Sequence, residues 1–162
     1  MTIYIVRHAW AEDRDDAKYP NDDLRPLSRK GRKRFRRMAR KLAKRGLDVA
    51  HLATSPLVRC RQTTDILADY VASEPLIVEL DALRPGSQLE PLLEWTRKQN
   101  GHDVAWVGPA PDVDQLTAAL IGSERTAVEF DKGAVAAIEF AEHPSAGRGV
   151  LRWFAVAELL KC

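Results

Sequence analysis

An arginine and a histidine stand side by side at Arg7 and His8, directly after the strand-forming run Thr2, Ile3, Tyr4, Ile5 and Val6. In an open α/β sheet, ligands bind in the crevice beyond the carboxyl ends of the strands, so this run delivers a guanidinium and an imidazole to such a crevice. A second pair of marks comes later. Thr54 and Ser55 close another apolar run, and Arg59 follows at the start of a helical pattern. A phosphoryl group spreads its charge over three oxygens, and the planar fork of arginine matches that geometry. The free N–H groups of a helix N-terminus favour the same anion. Arg7 and Arg59 are therefore the candidate phosphate binders, and His8 is the candidate nucleophile. A neutral imidazole can attack phosphorus if its other nitrogen is protonated and held, commonly by a backbone carbonyl.

Elements that could position these residues are legible from periodicity. Short apolar runs at 2–6, 49–54, 76–80 and 103–107 predict buried strands. Ser28 predicts a helix cap, followed by Phe35, Met38, Ala39, Leu42 and Ala43 in one stripe that Gly46 ends. Leu57 to Val71 repeats the pattern, a third helix is expected over 88–99, and a fourth begins near Pro111. Alternating strands and helices predict an α/β fold of three layers, a mainly parallel, doubly wound sheet with helices on both faces. Thr126–Phe130, Ala134–Phe140 and Val150–Val156 read as further strands, and the short turn between the last two predicts an antiparallel C-terminal edge. The polar stretch 13–23 lacks periodicity and reads either as a loop over the site or as a flexible excursion.

With the segment Leu24, Arg25, Pro26, Leu27, Ser28 and Gly31 added, and with Thr54 to Thr63 in the observed order, the chain resembles the histidine phosphatase superfamily. It is most similar to the short phosphohistidine phosphatase branch, the SixA type, with a phosphoglycerate mutase-like fold. The resemblance runs along nearly the whole chain as one domain, 1–162. It implies that His8 attacks phosphorus, that Arg7 and Arg59 neutralise charge, and that water then releases phosphate with no metal or other cofactor. It also puts Arg25 where it can reach the phosphate, although Arg25 and Pro26 could equally serve only to shape the turn into the helix. After the strand ending at Val107, the family shows a small residue and then a second histidine. Here Gly108 is followed by Pro109. The frame is kept and the imidazole is missing, which implies impaired or altered catalysis.

No other residue supplies the missing ring. His102 precedes the same strand, six residues before Gly108, so it belongs at the opposite end of the sheet. His51 reads as structural and His143 as exposed. Cys60 falls on the apolar stripe of its helix and reads as core, while Asp112 and Asp114 read as caps of the fourth helix. No histidine pair has metal-ligand spacing.

Composition narrows the remaining classes. A chain of 162 residues with 45% hydrophobic and 30% charged residues is that of a soluble globular protein. No apolar run approaches the roughly 20 residues that cross a bilayer, which argues against a membrane partner. No leader pattern is evident, and two cysteines offer no disulfide framework, so a reducing cytoplasm is expected. Residues 29–45 hold eleven Lys and Arg and no acid, leaving fourteen basic and twenty-three acidic residues elsewhere. That asymmetry is first read as a solvated helix face.

Three functions stay open on the sequence. The leading one is a metal-independent phosphohistidine phosphatase, acting on a phosphohistidine-bearing protein or a small phosphoester. The second is a non-catalytic module that binds phosphate or phosphohistidine through Arg7, His8 and Arg59. The third is a polyanion-binding protein that uses the basic helix 29–45 on nucleic acid or polyphosphate.

Overall fold

The computed structural model describes residues 1–123 and 128–162. Its elements alternate as the periodicity predicts: β1 (Thr2–Arg7), α1 (Arg29–Ala43), β2 (His51–Thr54), α2 (Val58–Ala68), β3 (Leu76–Glu79), α3 (Leu89–Arg97), β4 (Val104–Gly108), α4 (Asp112–Ile121), β5 (Val135–Glu139) and β6 (Val150–Ala155). Six strands form one sheet in the order β3-β2-β4-β1-β5-β6. The first four in that order are parallel, β5 is antiparallel to β1, and β6 is antiparallel to β5.

The strand period of two divides the core. Tyr4 and Val6 face a cluster with Phe35, Met38, Leu57 and Leu67, so α1 and α2 cover that side. Ile3 and Ile5 face Leu92, Leu93, Leu116 and Leu120, which puts α3 and α4 on the other. The result is the expected three-layer α/β fold with an antiparallel edge.

α1 starts as its sequence predicts. Ser28 Oγ accepts from the Gly31 N–H at 3.0 Å, satisfying one of the free donors of the first turn. Gly31 is required there for a second reason. A Cβ at this position would lie 2.0 Å from the Trp10 carbonyl oxygen, and that oxygen also accepts from the Ser28 N–H at 3.0 Å. The start of α1 is thereby locked to the segment that follows His8.

One predicted strand is corrected. Val128–Phe130 is not a strand, and the rest of Thr126–Phe130 lies outside the described residues. Phe130 uses its main chain differently: its N–H donates to Asp114 Oδ1 at 3.1 Å, and its carbonyl accepts from Arg7 Nη1. Its groups go to side chains, so no ladder forms.

Candidate functional site

The carboxyl ends of the parallel strands gather the sequence-predicted residues. In register, Arg7 pairs with Gly108 and Thr54 with Val107, so β1, β2 and β4 end at one level. His8 follows β1, and its N–H donates to the Gly108 carbonyl at 3.0 Å, next to Pro109. Arg59 stands in the first turn of α2, which continues from β2. The Thr63 hydroxyl accepts from the Ala9 N–H at 3.0 Å and donates to the Arg59 carbonyl at 2.7 Å, tying the His8 loop to α2.

His8 is 8% exposed. Its Nδ1 lies 2.8 Å from the Ala9 carbonyl oxygen. A carbonyl only accepts, so Nδ1 carries the hydrogen and the lone pair resides on Nε2. The ring is held neutral. Its pKa falls from 6.5 to about 3, first through burial and then through the positive charges of Arg59, Arg7 and Arg25, against which the Ala9 hydrogen bond works. All three arginines therefore act on the same imidazole.

Each guanidinium is anchored. Arg7 donates through Nη1 to the Phe130 carbonyl. Arg59, 5% exposed, donates through Nη1 to the Asp22 carbonyl at 2.8 Å and pairs through Nη2 with Asp22 Oδ2 at 3.1 Å. Arg25 pairs with the same carboxylate, Nε to Oδ1 at 2.7 Å, and donates through Nη1 to the Glu12 carbonyl at 2.8 Å. Donors remain on the first two, and among them the Nε atoms of Arg7 and Arg59 are buried and find no partner among the described residues. Buried N–H donors on cations, beside a neutral imidazole with a free lone pair, suit a tetrahedral oxyanion.

Asp22 is the residue that sequence reasoning missed. It lies in the 3₁₀ turn Asp22–Leu24, so the end of the aperiodic 13–23 stretch does come over the site. Its carboxyl is held below the usual carboxylate range, chiefly by the Arg25 hydrogen bond. Its neighbour Asp23 pairs with Arg84 at 3.1 Å. The only available signal was the i, i+3 spacing of Asp22 and Arg25.

Asp112 and Asp114 differ from expectation. Asp112 Oδ1 accepts from the Gly86 and Ser87 N–H groups at 2.7 and 2.6 Å, and Asp114 accepts from Phe130. These carboxylates pin loops to α4 and leave its own first turn uncapped by a side chain. Burial raises the Asp114 pKa, against the Phe130 hydrogen bond and the Arg7 charge.

The remaining candidates sit elsewhere. His51 and His102 face each other with ring centroids 5.9 Å apart, at the amino ends of β2 and β4. His143 is exposed beyond the far end of β5. Cys60 is fully buried, which pushes its thiol up to about 12. Among the described residues, no three His, Cys, Asp or Glu side chains gather into a set that could ligate a metal, and no helix is long and apolar enough to cross a membrane.

Comparison with known proteins follows the same lines. The family model of the histidine phosphatase superfamily (branch 1) matches residues 3–85. An uncharacterized protein of Picosynechococcus sp. is 35% identical over 124 residues, covering 74% of this chain and 73% of that one. The protein histidine phosphatase SixA complexed with tungstate superposes with a TM-score of 0.85 at 24% identity, covering 99% of both chains. The alpha-ribazole phosphatase of Shigella flexneri superposes with a TM-score of 0.71 at 13% identity, covering 97% of both. At such identities these two structures share the fold.

Proposed function

Since the chain belongs to the histidine phosphatase superfamily, branch 1, we propose that it is a metal-independent phosphomonoesterase that hydrolyses phosphohistidine, with His8 as its nucleophile. The observation that carries this reading is the neutral, buried His8 ring, held through Nδ1 by the Ala9 carbonyl under three arginine charges.

In the first step, His8 Nε2 attacks phosphorus in line, and the P–N bond to the substrate imidazole breaks. A substrate ring protonated on its other nitrogen departs as neutral imidazole, so no protein acid is required. In the second step, water attacks the phosphohistidine on His8 and loses a proton to solvent. Inorganic phosphate leaves, and the His8 ring regains its lone pair. Arg7 and Arg59 bind the equatorial oxygens through both steps with guanidinium N–H groups that the protein leaves unused, and Arg25 adds a third positive charge.

Pro109 favours this substrate class over alkyl esters. It stands beside His8, where it offers neither an acid nor an N–H. An alkoxide needs protonation as it leaves, and imidazole does not. The same residue supports the second reading, a phosphate-binding module without turnover.

The test is phosphate release from a phosphohistidine peptide by the chain and by His8→Ala, with and without EDTA. Release that depends on His8, ignores EDTA and passes through acid-labile phosphate on the protein is expected. Release that survives His8→Ala sinks the mechanism. Tight tungstate binding with no release replaces the enzyme with the binding module.

A further inference from the structure

Two adjoining cavities open beside the site, one of them lined by Arg7. One, about 300 Å³, is lined by Arg7, Trp10, Arg34, Lys132, Asp131 and Glu158. The other, about 520 Å³, shares Trp10, Arg34 and Lys132 and is lined further by Lys30, Lys33, Arg37 and Asp13. Together they form a groove that starts at Arg7 and follows the N-terminal half of α1. Its floor is fixed: the Arg34 guanidinium lies 4.1 Å from the centroid of the Trp10 ring, and its Nε donates to the Cys162 main-chain oxygen at 3.0 Å.

The groove carries a net positive charge, six cationic side chains against Asp13, Asp131 and Glu158. Arg25, Arg59, Arg61, Arg84, Arg97 and Arg152 each pair with a carboxylate. Among the described residues, Lys30, Lys33, Arg37 and Lys132 pair with none, and all four are exposed. A wall of net positive charge raises the local concentration of anions and orients them before contact.

We propose that the groove is a docking subsite for an acidic stretch of polypeptide beside the phosphorylated histidine of the substrate protein. The proposal rests on the phosphohistidine reading above and adds what selects among substrates. Lys30 to Arg37 spans roughly 10 Å along the helix, the reach of about three extended residues. An occupant with two or three Glu or Asp within a few residues of the phosphohistidine therefore matches the wall. Polynucleotide fits less well. The groove's single aromatic face is already covered by Arg34, so bases have no stacking platform.

The experiment uses two peptides, each with one phosphohistidine, flanked by three Glu in one and three Gln in the other. For the wild-type chain, kcat/KM should favour the Glu peptide by at least tenfold, mainly through KM, and 0.5 M salt should erase most of the preference. In the K30A/K33A/R37A variant the ratio should fall to about one. Binding of the unphosphorylated peptides, read by fluorescence anisotropy, should show the same preference and the same loss. That second readout needs no turnover. If neither peptide is hydrolysed yet the Glu peptide still binds preferentially, the phosphatase reading fails and the subsite stands. A wild-type ratio near one in both assays overturns the subsite. So does a preference that survives in the triple variant, or tighter binding of a single-stranded oligonucleotide of equal charge.

Discussion

A histidine held neutral inside a fold leaves a signature in acid, and His8 should show it. Its pKa is 6.5 as a free side chain and about 3 in the structure. Below pH 6.5 the unfolded chain takes up a proton there that the folded chain refuses. The His8 contribution is therefore fully present above about pH 6.5 and is lost as pH falls toward 3. At pH 5 the unfolded state is about 1.5 units below its own pKa while the folded state is still unprotonated. The wild-type chain should then be destabilised by about 2 kcal/mol relative to pH 7 from this one residue. Urea unfolding in phosphate-free buffer at the two pH values measures it, with His8→Asn as reference. Asn keeps a donor for the Ala9 carbonyl and does not titrate, and every other ionisable group is common to both proteins. The wild type should lose about 2 kcal/mol more than the variant between pH 7 and pH 5. Equal losses would mean that His8 is not held neutral, and the argument for its lone pair would fall with it.

Three more outcomes follow from the geometry. Asp22→Asn should keep its main-chain bond to Arg59 and one side-chain acceptor, for Arg25 or for Arg59 but not both, while removing a negative charge from the site, so calorimetry should find tungstate bound about fivefold tighter, the equivalent of roughly 1 kcal/mol. Weaker binding would instead make Asp22 the group that aims Arg59. Gly31→Ala would drive a methyl to 2.0 Å from the Trp10 carbonyl oxygen, and denaturant titration should show a loss of about 3 kcal/mol. An unchanged midpoint would show that α1 shifts freely against the loop after His8. Pro109→His, checked for folding, should raise aryl phosphate hydrolysis by about 10²-fold or more, and phosphohistidine hydrolysis less, because only the aryl leaving oxygen gains from an acid. No gain on either substrate favours the binding module.

The sequence made the strands and the cationic residues legible because both have local signatures. A short apolar run and helical spacing predicted β1 and α1, and a strand followed by Arg7 and His8 has one natural destination. What escaped was set by tertiary geometry. Asp22 belongs to a polar stretch with no period, and nothing local says that it turns back onto Arg59. The Asp114 carboxylate could have capped α4 or held a distant N–H, and only the path of the chain before β5 decides for Phe130. The same choice defeated the described part of an expected strand, Val128–Phe130, where an apolar run resembles a strand whichever groups its main chain meets. The groove beside Trp10 needed Gly31, Arg34 and Lys132 brought together across about 100 positions of sequence, and no spacing rule reaches that far.

The two buried Nε atoms of Arg7 and Arg59 bear on more than recognition. A buried donor left unmade costs about 1–3 kcal/mol, and more when it is charged. Two of them weigh heavily in a domain whose whole margin is about 5–15 kcal/mol. An oxyanion that reached both, after a small shift of the atoms that cover them, would relieve that cost, so inorganic phosphate, the product of the proposed reaction, would act as a folding ligand. At a hundred times its Kd it would add about 2.7 kcal/mol. The lifetime of the chain against proteolysis would then rise and fall with the phosphate around it, coupling the amount of protein to the chemistry it performs.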